Sequence, residues 1–61
     1  MTINLTLQSG TNYFMDNATD DDLAVLMRLV EQGKGFFHLQ DGAQTILVNV
    51  TAIEVVTIQR R

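Results

Sequence analysis

Few side chains in this sequence are equipped for acid–base or charge chemistry: seven carboxylates, one histidine, one tyrosine and four cations. Three carboxylates stand together as Asp20, Asp21 and Asp22. A calcium loop sets its acids at alternate positions around a glycine that allows a sharp turn, and this run lacks both features. Consecutive acids just before an apolar periodic segment suit another task, facing the positive end of a helix dipole. His38 is the side-chain type that moves protons near neutral pH. General acid–base catalysis also requires a second group held within hydrogen-bond reach. No nucleophile or paired acid is placed beside His38 by any recognisable spacing. Gly33-Lys34-Gly35 and Asp41-Gly42 lack the glycine-rich run and the Lys-Ser or Lys-Thr pair of a phosphate-cradling loop, so both read as turns.

The aromatic residues Tyr13, Phe14, Phe36 and Phe37 would form a stacking platform for bases if cations were interleaved with them. Only Lys34 is close in sequence, which favours a core or a subunit interface instead. The composition supports this. The formal charge is −3 and the isoelectric point is near 4.6, opposite in sign to a general polyanion binder. Cysteine is absent, so disulfides, iron–sulfur clusters and thiolate metal sites are excluded. A lone histidine without cysteine makes a structural zinc unexpected. The sequence thus points to no catalytic residue, cofactor or metal.

Secondary structure must position what remains. From Thr2 to Gln8 the chain alternates strictly, with Ile3, Leu5 and Leu7 on one face and Thr2, Asn4, Thr6 and Gln8 on the other. That period marks a strand with one wet face. Ser9-Gly10-Thr11-Asn12 supplies a turn, and Tyr13 to Met15 reads as a return strand. If residues 11–18 form a loop instead, the order loses that strand. Thr19 with Asp22 has the spacing of a capping box, and Gly33 is a natural C-terminal stop, which predicts a helix over residues 20–32. Its apolar residues Leu23, Leu26, Met27 and Val30 recur at helical spacing and should cover the sheet. Val25 and Leu29 fall outside that stripe.

Gly35 to Arg61 holds three apolar runs, Phe36–Leu39, Ile46–Val50 and Ile53–Ile58, the first two separated by Asp41-Gly42. β-Branched and aromatic residues at this density predict a hairpin extended into a three-stranded meander. Phe37 and Leu39 share one face, as do Ile46, Val48 and Val50. Phe36 and Leu47 are left on the opposite face, and Val55 points away from Val56 and Ile58.

The expected architecture is a single α+β domain over residues 1–61. Its element order is β-β-α-β-β-β, with one helix on one face of a mostly antiparallel sheet. A chain this short buries only about 60% of the surface that its unfolded form exposes, and domains of this size usually need a staple. With no disulfide or metal available, the expected staple is a second copy of the chain. Val25, Leu29, Phe36, Leu47 and Val55 are the candidate oligomer interface. The functional expectation is a small non-enzymatic homo-oligomer that binds or inhibits another protein. The alternative is a small-ligand or nucleotide binder with its pocket between subunits, lined by Tyr13, Phe36, His38, Arg60 and Arg61. With no basic start followed by an apolar core, and no apolar run long enough to cross a bilayer, a cytoplasmic location without membrane contact is expected.

Tight, general binding to DNA or RNA is not expected. A gel-shift series with single-stranded RNA at low salt, where phosphate contacts are strongest, should show no complex. Submicromolar binding that is lost on deleting Arg60 and Arg61 would contradict the charge argument.

Overall fold

The computed structural model describes residues 1–60. Its elements are β1 (Thr2–Leu7), β2 (Asn12–Met15), α1 (Asp20–Gln32), β3 (Phe36–Asp41), β4 (Gln44–Asn49), a 3-10 turn (Val50–Ala52) and β5 (Ile53–Gln59). The order is the expected β-β-α-β-β-β, and every strand pair is antiparallel. Residues 11–18 contain a strand, confined to Asn12–Met15.

The meander does not form. The strands divide into a three-stranded sheet of order β2-β1-β5 and a separate β3-β4 hairpin. The cause lies at residues 49–52. Val50 donates its N–H to the Gly35 carbonyl at 3.0 Å, which closes the base of the hairpin. The Asn49 carboxamide then accepts from the Thr51 N–H at 3.1 Å and starts the 3-10 turn. This turn buries Val50 and carries the chain away from β4. Strand β5 pairs along the second edge of β1 instead, with Asn4 opposite Thr57 and Leu5 opposite Val56. A register shift between Thr6 and Leu7 leaves Glu54 as the extra residue of a bulge.

At the hairpin tip Asp41 is the partner of Gln44, so the loop is Gly42-Ala43. Gly42 has φ 60, and Ala43 is not among the residues with positive φ. That is the pattern of a type II′ turn, whose twist matches the strands it joins.

The helix ends follow from local chemistry. Asp22 N–H donates to the Thr19 hydroxyl at 3.1 Å, and Thr19 N–H donates to the Asp22 carboxylate at 2.9 Å, which completes a capping box. Gly33, in the left-handed region at φ 73, ends the helix and donates to the carbonyls of Leu29 and Val30.

The packed face of α1 is rotated from the expected stripe. Leu26 is fully buried, and Leu23 and Leu29 pack against the core, whereas Met27 and Val30 are exposed. The row Leu23, Leu26, Leu29 is an i±3 ridge. Gly35 explains why Leu29 can turn inward. A Cβ built at Gly35 would lie 2.9 Å from Leu29 Cδ2, so the missing side chain leaves the space that the leucine fills. At roughly 100° per residue, Val25 and Met27 flank the ridge on opposite sides.

The core draws on every layer. Ile3, Leu5 and Met15 come from the three-stranded sheet, Leu26 from the helix, Phe37, Leu39 and Val48 from the hairpin, and Val50 from the 3-10 turn. Replacing Leu26 with alanine should lower unfolding stability by about 2–5 kcal/mol. Val25→Ala, one position earlier but exposed, should change it by only about 0.5 kcal/mol. Urea unfolding of both variants measures the difference, and equal losses would place the wrong face inward.

Candidate functional site

Strand alternation decides which side chains β3 and β4 present to solvent. Phe37, Leu39 and Val48 point into the core, so Phe36, His38, Gln40, Thr45, Leu47 and Asn49 form the outer face of the hairpin. The register places His38 opposite Leu47 and Phe36 opposite Asn49. Phe36 and Leu47 are therefore diagonal neighbours on one face, within reach of each other, and each is 55% exposed. Nearer the tip the face becomes polar, where the Gln40 amide donates to the Thr45 hydroxyl at 3.1 Å.

The outer face of the three-stranded sheet is built from different chemistry. One row across it runs Phe14, Asn4, Thr57, and the next runs Asn12, Thr6, Val55. The Thr6 hydroxyl donates to the Asn12 carboxamide at 2.8 Å, and the Thr2 hydroxyl donates to Asp16 at 3.1 Å. Asn4 Oδ1, in the middle of this face, is covered and has no hydrogen-bond donor among the described residues. Phe14 beside it is 57% exposed.

Phe14 does not belong to the candidate interface read from the sequence. Its exposure follows only once β2 is paired against β1, because Tyr13 and Met15 then face inward opposite Leu5 and Ile3.

The proposed interface residues are distributed over several surfaces. Phe36 and Leu47 lie together on the hairpin, Val55 lies on the outer face of β5, and Val25 lies on a flank of α1. Leu29 is partly buried, and its side chain packs against the core. The residues proposed to line a ligand site lie on different elements. Phe36 and His38 share the hairpin's outer face, Tyr13 packs against the core, and Arg60 pairs with Asp20 at 3.8 Å beside the start of α1. Arg61 lies outside the described residues.

Among the described residues there is no pocket, no cluster of three or more His, Asp or Glu side chains able to hold a metal, and no helix long and apolar enough to cross a membrane. The register sets His38 directly opposite the apolar Leu47. Comparison with known proteins finds no matching family model, no matching curated protein and no matching solved structure.

The ion pair between Arg60 and Asp20 joins two exposed side chains at a distance that admits little directional bonding. Arg60→Ala should leave the unfolding midpoint in urea nearly unchanged, as is usual for exposed pairs. A large loss of stability would show that Arg60 anchors β5 to the helix.

Proposed function

We propose that this is a small, non-enzymatic, homo-oligomeric protein of the cytoplasm that works by binding another protein. The observation carrying this reading is the exposure of Phe36 and Leu47 side by side on the hairpin's outer face. Phe14, Val25, Met27, Val30 and Val55 are also exposed by 40% or more. Isolated apolar side chains at a surface are ordinary. Adjacent large ones on a chain of this size favour a protein contact, since covering each Phe or Leu fully is worth about 1.5–3 kcal/mol.

The hairpin suits such a contact physically. Its inner face is anchored by Phe37, Leu39 and Val48, so the outer face is held rigid and needs little ordering on binding. The His38 and Asn49 side chains beside the apolar pair supply polar groups for a contact rim.

Light scattering at micromolar concentration should give a multiple of the 6.8 kDa chain mass. A tagged chain should capture a protein partner in fixed ratio from native lysate, and the double substitution Phe36→Ser, Leu47→Ser should abolish that capture while circular dichroism stays unchanged. A strictly monomeric chain would refute the oligomeric half of the proposal. Capture that persists in the double variant would refute the assignment of the hairpin face.

A further inference from the structure

Among the described residues, no strand pairs with the outer edge of β5. Leu7 donates its N–H to Thr11 at 2.8 Å, and Gln8 donates to Ala52 at 2.9 Å. Backbone groups of successive residues in an antiparallel strand face opposite sides. The odd-numbered residues of β1 therefore bond to β2, and its even-numbered residues bond to β5. In the observed register Thr2, Asn4 and Thr6 lie opposite Gln59, Thr57 and Val55. The N–H and C=O groups of Gln59, Thr57 and Val55 thus point at β1, while those of Val56 and Ile58 point outward. In the sheet order β5 is the terminal strand. It is also the longest strand, at 7 residues, and contains neither proline nor glycine.

Resting on the homo-oligomeric reading above, we infer that β5 pairs with β5 of a second copy, antiparallel about a two-fold axis at Thr57, to give a continuous six-stranded sheet. This register satisfies the free groups reciprocally. Val56 exchanges hydrogen bonds with Ile58 of the partner subunit, and Ile58 exchanges them with Val56 of the partner subunit. Thr57 faces its own symmetry mate in the closer, non-hydrogen-bonded type of pair, where threonines make favourable cross-strand contacts.

Charge selects the register. Centring the axis on Thr57 sets Glu54 opposite Arg60 of the partner subunit, and by symmetry Arg60 opposite the partner's Glu54. Centring it on Val56 would set Glu54 against the apolar Ile58 of the partner subunit. Glu54 is the only charged residue of β5, and Arg60, which follows the strand directly, would exchange its loose, exposed 3.8 Å pair with Asp20 for the partner's Glu54. The partner's Gln59 lies opposite Val55, whose side chain is 45% exposed in the single chain. The bulge at Glu54 marks where the regular edge begins, since the ladder to β1 shifts there. The β4 edge offers a rival pairing through Thr45, Leu47 and Asn49, but that strand carries no charge to fix a register.

Amide hydrogen exchange on the unmodified chain, followed by NMR across a concentration series, tests the inference together with light scattering. The Val56 and Ile58 amides should slow as the oligomer forms. Val56→Pro removes an outward donor without touching the β1 ladder, and should weaken association roughly tenfold or more while the far-ultraviolet spectrum is kept. Glu54→Arg and Arg60→Glu should each weaken association, and combining them should restore it. Should the Val56 substitution unfold the chain, the exchange data and the charge swap still decide. An oligomer in which Val56 and Ile58 exchange freely, or in which protection falls on Thr45, Leu47 and Asn49, overturns the β5 contact and leaves the oligomeric reading intact. A chain that stays monomeric at every concentration overturns both.

Discussion

The structure depends on β1 being paired along both of its edges. Ile3 and Leu5 are fully buried, which requires a sheet extending to each side of them and a layer beneath. Strand β2 reaches one edge through the short turn containing Gly10, whose φ of 92 is available without strain only to glycine. The other edge waits for β5, near the far end of the chain. Local sequence proximity favours the meander, in which β5 would follow β4. That arrangement would leave half of the β1 ladder unpaired and Ile3 and Leu5 covered on one side only. Backbone groups buried without partners are costly, so the distant pairing prevails.

The hairpin and the helix then serve as the layer beneath. The inner residues Phe37, Leu39 and Val48 meet Leu26 and the three-stranded sheet in one common core. The seating of α1 is set by a glycine outside the helix. Gly35 adopts φ 113 and leaves the volume occupied by Leu29. Close packing of this kind admits few alternatives. It turns Leu29 inward and leaves Met27 and Val30, which lie on the idealised apolar stripe, at the surface.

Surface chemistry follows from the same geometry. Among the described residues, the helix and the hairpin cover the inner faces of the strands and leave the outer ones open. The outer face of the three-stranded sheet is dominated by threonine and asparagine, which bond to one another across the strands. The outer face of the hairpin carries Phe36 and Leu47. This division gives the proposed protein-binding surface and the proposed self-pairing edge separate places on the molecule, so one contact need not exclude the other.

Elements governed by neighbours along the chain are legible in the sequence itself. The capping pair Thr19 and Asp22, the stop at Gly33 and the in–out alternation of Ile3, Leu5, Phe37, Leu39 and Val48 all rest on interactions within a few residues, and residue type alone specifies them. The exposure of Phe36 and Leu47 is legible for the same reason, because period-two alternation assigns a face without reference to partners. Tertiary structure decided what depends on contacts between distant segments: the departure of β5 from β4 to β1, the rotation of α1 toward Leu29, and the placement of Tyr13 against the core and of Arg60 beside Asp20. Each of these turns on which surfaces meet. A periodic pattern says that a face will be buried, and only the assembled core determines against what.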